Sequence, residues 1–521
     1  MNRKMPYLAL LAFACLNVAQ ARPVESATAS TLNYVGSEAR AARAYAAALR
    51  EGKPALRIFL DQFPKGADLH VHLSGAVYAE SFIRDAVEDG LCVNSSALNF
   101  VGPPCTAPLI PASDAVKNQK LYDDLVDSFS LRSFVPHASV SGHDQFFATF
   151  ARFGALSKKH IGEWVDEVAS RAADQNQQYL ELMETPIFTR AADLGRSNPL
   201  TTDFAAYRKK LLALGIKGEV FADREDVRTA EVLRKQIEHC GTPQATPACK
   251  VEVRYIYQIL RGNEPGQVFA QTLLGFETVQ AAMEAHDNTW VGINFVMPED
   301  GYISMRDYTL QMKMVEYLHS VYPKVHITLH AGELTMGLVP PEGLRFHIRQ
   351  AVELGHAERI GHGVDIAYET DAQGLLKEMA HKHVMVEINR TSNEGILGVK
   401  GDEHPFMLYR ANHVPVALST DDEGVSRIDL THEYVRAAHD YHLSYEDLKQ
   451  LARTGMEHNF LPGESLWASP DVFTMPVSSC RGQRLGSETP SSACKAFLAS
   501  SQKAAAQWEL ERRFNAFEAK F

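Results

Sequence analysis

Early in the chain stands Asp68-Leu69-His70-Val71-His72-Leu73, two histidines separated by one apolar residue. In a β-strand, residues i and i+2 project from the same face. His70 and His72 therefore aim into one space, and two imidazoles so placed suit a zinc ion. A third histidine ends the apolar run Ile327-Thr328-Leu329, in His330-Ala331-Gly332-Glu333. Ile360-Gly361-His362-Gly363 and Leu418-Ser419-Thr420-Asp421-Asp422 likewise set imidazole or carboxylate groups at the ends of apolar runs. Taken singly, each is best read as a polar residue satisfied in the core. Taken together, they offer donors for a divalent cation and a carboxyl, Glu333, able to move a proton.

Groups so far apart in sequence meet only if larger elements bring them together. Eight short apolar or β-branched runs occur, at 68–73, 179–184, 251–259, 290–297, 326–330, 359–363, 384–389 and 414–420. Between them, stretches such as 308–322 and 344–354 carry the longer period of amphipathic helices. This alternation predicts parallel strands with right-handed crossovers. Eight such units point to an α/β fold, a (β/α)8 TIM barrel. A doubly wound sheet would need a Gly-rich phosphate turn after an early strand, and the sequence has none. In a barrel the catalytic residues gather at the C-terminal ends of the strands, where all the groups above fall.

Three motifs test this logic. His381 and His383 repeat the H-x-H spacing but precede their strand, and His326 opens its strand. His356-Ala357-Glu358 has the H-x-E form of zinc deaminases of another fold, but no P-C-x-x-C follows. The first two are expected at the opposite end of the barrel, and the third is discounted as a chance match.

Residues 64–460 are read as the barrel, with an insertion at about 89–133 after the first strand. Residues 22–63 form a leader, polar over 24–33, and then a helix over 38–63. Residues 461–521 form a C-terminal extension. Its last segment, 504–521, reads as a helix that either packs on the outside or makes a homodimer contact. The aromatics Phe146, Phe147 and Phe150 lie on a helix after the insertion, as a pocket wall or as plain core.

The chain starts with Arg3 and Lys4, an apolar run over 6–18 and Ala19-Gln20-Ala21, the pattern of a secretory signal. The apolar run is too short to span a bilayer. Residues 1–21 are expected to be removed, leaving a periplasmic or secreted protein without a membrane segment. The net charge is −12, and a phosphate backbone would be repelled, so nucleic acid is a poor partner. Apart from Cys15, six cysteines fall into three sequence neighbours, Cys92 and Cys105, Cys240 and Cys249, Cys480 and Cys494. Pairing within neighbours is the simplest of the many connectivities open to six cysteines, and export favours disulfides.

These motifs give a resemblance. Residues 64–73, His330-Ala331-Gly332-Glu333, Arg359-Ile360-Gly361-His362-Gly363, Ser419-Thr420-Asp421-Asp422 and Thr391-Ser392-Asn393 resemble the adenosine deaminase family of the amidohydrolase superfamily. The likeness is closest to its secreted, growth-factor-related branch and bacterial relatives, and it spans about 64–460. The resemblance implies one zinc ion held by His70, His72, His330 and Asp421. It implies Glu333 as general acid, with His362 and Asp421 holding and deprotonating a water. His72, Asp422 and Ser74 would face the substrate, a purine nucleoside deaminated to an inosine-type product and ammonia. Two positions depart from the family. Ser74 stands where the cytosolic enzymes carry a ribose-binding aspartate, and Met297 where a glycine usually meets the purine. An extracellular binding protein on a degraded barrel is the reading of a different class. An amide or ester hydrolase of the wider superfamily is another.

Overall fold

The computed structural model describes residues 29–287 and 289–521. The expected signal segment 1–21 lies outside them. Eight parallel strands follow one another round a barrel: β1 (Gly66–His72), β2 (Gln177–Glu184), β3 (Glu252–Leu260), β4 (Trp290–Val296), β5 (His326–Ala331), β6 (Arg359–His362), β7 (Met385–Ile388) and β8 (Val416–Leu418). Every neighbouring pair is parallel. All eight expected runs are strands. Each is buried on both faces by the barrel interior and the outer helices, so each reads as a nearly continuous apolar run. β4 is buried along its whole length.

The ring closes between β1 and the segment after β8. Val71 bridges Asp421 in parallel, and the Asp421 N–H donates to the His70 carbonyl at 2.8 Å. Below this, the Asp68 carboxyl accepts from the Thr420 hydroxyl at 2.8 Å and from its N–H at 3.2 Å. The seam therefore runs through the H-x-H strand and the double aspartate, and it fixes their register. The barrel floor is plugged by Phe460, which clusters with Met183, Ile256, Val291 and Val296. Arg359 stands over the Phe460 ring at 3.9 Å and is buried between Glu181 and Glu387.

Between β1 and β2 the chain builds a small antiparallel sheet from Cys92–Asn94, Asn99–Val101 and Ile110–Pro111, followed by the helix Gln119–Ser128. The neighbour pairs Cys92–Cys105, Cys240–Cys249 and Cys480–Cys494 are all disulfide-bonded. The N-terminal region differs from expectation. Helix already runs over Ala29–Glu51, inside the stretch read as a polar leader, because no Pro or Gly interrupts 24–35. It then breaks at Gly52, and Pro54 opens a second helix, Lys53–Asp61. The last helix, Gln502–Glu518, packs on its own chain, with Leu510, Phe514 and Phe517 buried. Among the described residues no helix is long and apolar enough to cross a membrane.

Candidate active site

The strand ends deliver the expected groups to one place. His70 and His72 come from β1, His330 from β5, His362 from β6, and Asp421 from the segment closing the barrel after β8. The ring centroids of His70 and His330 are 4.5 Å apart, and those of His70 and His362 are 4.9 Å apart. Donor atoms of His70, His330, His362 and Asp421 all lie within 4.8 Å of one another. His72 Nε2 is 3.1 Å from His330 Nε2 and 3.3 Å from Asp421 Oδ1. The approach is close enough that a Cβ on Gly361 would fall 2.6 Å from the His70 ring, which accounts for the glycine before His362.

The outer nitrogens are already occupied. His70 Nδ1–H donates to Glu387 Oε2 at 2.6 Å, and His330 Nδ1–H donates to Asn294 Oδ1 at 2.9 Å. His72 Nδ1 meets the Gln258 amide at 2.6 Å. Three Nε2 atoms are thereby turned inward. His70 Nε2 and Asp421 Oδ1 are buried without a hydrogen-bond partner. Such orphans are costly unless something satisfies them. Burial lowers the basicity of His72 to about 4 and holds His330 well below the usual range. His70 is the exception. Burial opposes its charge, but Asp421 and Glu387 raise it to about 10. The field at this point calls for positive charge, which a cation supplies as well as a proton. Three imidazoles and one carboxylate match zinc chemistry, and the outer nitrogens of His70 and His330 are oriented for it by acceptor oxygens.

His362 is held differently. The Phe406 N–H donates to His404 Nδ1, His404 Nε2–H donates to Asn393 Oδ1, and the Asn393 amide donates to His362 Nδ1 at 2.8 Å. This network assigns the neutral His362 proton to Nε2, 3.9 Å from Asp421 Oδ2. Glu333 Oε1 stands 3.6 Å from the other His362 nitrogen. Burial pushes the Glu333 carboxyl well above the usual range, helped by the charges of Asp421 and Glu299. The double aspartate splits. Burial and the adjacent Asp421 push Asp422 well up, whereas His70 and His362 overcome burial and hold Asp421 well down. Asp422 lies so close to Gly75 that a Cβ there would fall 1.5 Å from its Oδ1.

Ser74 sits half-exposed on the short helix Leu73–Ala76, beside this cluster. Met297 is 42% exposed, with φ of 87°, a left-handed conformation that favours glycine. His362 and Asp421 share that region, with φ of 69° and 62°. Each costs about 1–2 kcal/mol for an L-residue, and such strain gathers at functional sites. Phe146 packs into an apolar cluster with Ile396 and Val425, joined by the half-buried Phe147 and Phe150.

Sequence reasoning missed Glu387, Asn294 and Gln258, which hold ring nitrogens, and gave Asn393, though part of a quoted motif, no role. It also missed Glu299, which accepts the Gly332 and Glu333 backbone N–H groups. One signal was available. Glu387, Asn294 and Gln258 are polar residues in the middle of apolar strand runs.

Residues 155–466, more than half of the chain, match the family model for adenosine deaminase. The chain belongs to the adenosine deaminase family. The match begins after β1, so His70 and His72 lie outside it. An adenosine deaminase of Clostridium perfringens is 37% identical over 139 residues, 26% of this chain and 39% of that relative. One from Escherichia coli is 36% identical over 140 residues, 27% of this chain and 39% of that relative. The chain thus spans well under half the length of the curated relatives it matches. The fold is shared with solved structures. An adenine deaminase of Arthrobacter aurescens superposes with a TM-score of 0.50 at 16% identity, over 77% of this chain and 94% of that one. An Arabidopsis N6-mAMP deaminase superposes with a TM-score of 0.50 at 23% identity, over 78% and 95%. An amidohydrolase of Burkholderia ambifaria, solved with bound Zn, gives a TM-score of 0.52 at 18% identity, over 78% and 88%.

Proposed function

We propose that this chain is a zinc-dependent hydrolytic deaminase converting adenosine, and 2′-deoxyadenosine, to the inosine product and ammonia. The observation that carries the reading is the convergence of His70, His330, His362 and Asp421 at the barrel mouth, with the buried Glu333 carboxyl 3.6 Å from His362. His70, His72, His330 and Asp421 would hold a single zinc ion. The chemistry it would supply there is a bound water acidified to a pKa of about 7.

The chain's own residues do the rest. His362 Nε2–H donates to the water oxygen and orients it. Asp421, held ionised, takes its proton. Glu333 gives its proton to the purine ring nitrogen beside the amino-bearing carbon, which makes that carbon electrophilic. The water oxygen bonds there, Asp421 passes its proton to the amino group, the C–N bond breaks and ammonia leaves, and the new hydroxyl's proton returns to Glu333. The five-membered ring offers a bare nitrogen lone pair. A neutral Asp422 is suited to donate to it, as its raised pKa allows. His72 and Ser74 flank the sugar side.

The reading includes export to the periplasm or beyond, supported by the N-terminal pattern and by three short-loop disulfides. One observation favours a neighbouring substrate. Ser74 is short, neutral and only partly buried, so the sugar side is less enclosed by charge than the purine side. Adenine or methylthioadenosine is the alternative. A panel of adenosine, 2′-deoxyadenosine, adenine and methylthioadenosine on zinc-loaded mature protein tests both, by purine absorbance and ammonia release. Adenosine is expected to turn over fastest. Binding of adenosine with no ammonia from any compound would replace the enzyme with a binding protein.

A further inference from the structure

Glu333 sits on a loop beyond β5, so the strand cannot aim it. The loop instead turns two backbone N–H groups to one carboxylate. Gly332 N–H donates to Glu299 Oε1 at 3.0 Å, and Glu333 N–H donates to Glu299 Oε2 at 2.8 Å. Glu299 follows β4 and is 2% exposed. It is gripped from behind. His347 Nδ1–H donates to Oε1 at 2.6 Å, and the Arg261 guanidinium lies 3.9 Å from the same oxygen. The His347 ring stacks on Tyr308, with centroids 3.8 Å apart. Arg261 also donates to the His330 carbonyl at 2.7 Å, so the same grip reaches the end of β5. Burial opposes ionisation of Glu299, but His347 and Arg261 overcome it and bring its pKa down to about 2.

We propose that Glu299 is the positioning residue of the proton donor, fixing the Gly332–Glu333 backbone so that the Glu333 carboxyl faces the ring nitrogen. It touches no substrate atom in this role. A carboxylate is required, since only two acceptor oxygens can take two parallel N–H groups and the His347 N–H together. The negative charge acts as well. The charged groups facing Glu333 are Asp421, Asp422, Glu299, His70 and Arg261, with His362 in contact, and Glu299 is among those that favour the neutral acid.

The inference rests on the deaminase reading above, and its test separates the two. Glu299→Gln keeps the volume but turns an N–H₂ toward a backbone N–H. On zinc-loaded protein it should lower kcat on adenosine by about 10²-fold, the scale of a 1 Å misplacement. KM should stay within about twofold and zinc content should not change. The alkaline limb of the kcat–pH profile should move to lower pH, which a merely structural defect would not produce. His347→Phe keeps the stack on Tyr308, removes the N–H, and should give the same changes on a smaller scale, less than additively with Glu299→Gln. Amide hydrogen exchange at Gly332 and Glu333 should quicken in both variants, and this readout needs no turnover. Unchanged exchange, or a kcat within about twofold of wild type, would overturn the proposal. A wild type that releases no ammonia would sink the deaminase reading, while exchange would still decide the positioning role.

Discussion

The two ends of this barrel carry the same kinds of residue and use them differently. The mouth gathers His70, His72, His330 and His362 around Asp421. The floor gathers His326, His356 and His383, with His319 and His458, along one groove of about 610 Å³. At the floor each ring is paired off. His326 bonds Glu358 at 2.9 Å and lies flat on Phe460, His383 and His458 share Asp471, and His356 stacks on His319. Side chains of His383 and His326 are 46% and 37% exposed, while those of His70 and His362 are sealed. At the mouth the outer nitrogens are paired, while His70 Nε2 and Asp421 Oδ1 face inward without a partner. Spacing did not distinguish H-x-H at 70–72 from H-x-H at 381–383. The end of the strand did, because only there do neighbouring strands supply Glu387 and Asn294 from behind and Asp421 from in front.

This contrast can be broken or sharpened by experiment. The largest effect belongs to the inward donors. Asp421→Ala or His70→Ala should abolish zinc binding, seen by metal analysis, and turnover, seen by ammonia release. A variant of either that kept full zinc would end the metal-centre reading. Next comes Glu333→Gln, expected to cost about 10²–10⁴-fold in kcat with zinc retained. The same residue sets a pH limit. Only its neutral form donates, and an ordinary glutamate would ionise at about pH 4.3. With its pKa raised, activity should persist near neutrality and fall as pH rises through the shifted value. Activity confined to acid conditions would contradict the burial effect. Glu387→Gln acts one bond further out, through His70, and should weaken zinc affinity by about 10–100-fold in a competitive chelator titration. The smallest effect is at the floor. His383→Ala loses a half-exposed pair with Asp471, worth at most about 1 kcal/mol by thermal unfolding, with kcat unchanged.

Much of the fold could be read from local pattern. Apolar runs of strand length, separated by helical periods, correctly located all eight strands, because a strand buried on both faces advertises itself residue by residue. Ends were less legible. The run 414–420 yields a strand only over Val416–Leu418, since Thr420 and Asp421 turn to close the seam with β1. The helix over Ala29–Asn33 is hidden by polar composition, and the absence of Pro and Gly over 24–35 is its local trace. Within the site, motif residues were legible through short spacings. Their partners were not, since Glu387 is 317 positions from His70 and Asn294 is 36 from His330. A buried polar residue inside an apolar strand is the one trace such partners leave.

By itself the sequence determined which side chains end their strands and which begin them, and hence which group could share a barrel mouth. Strand direction and the alternation of side chains are properties of local covalent geometry, so a linear reading reaches them. Only the tertiary structure decided which lone pairs are left without partners, which carboxyl stays neutral, and which residue grips the acid loop. Those depend on burial and on charges brought within a few ångströms by ring closure, and electrostatic strength in a dry interior is set by that distance and not by position along the chain.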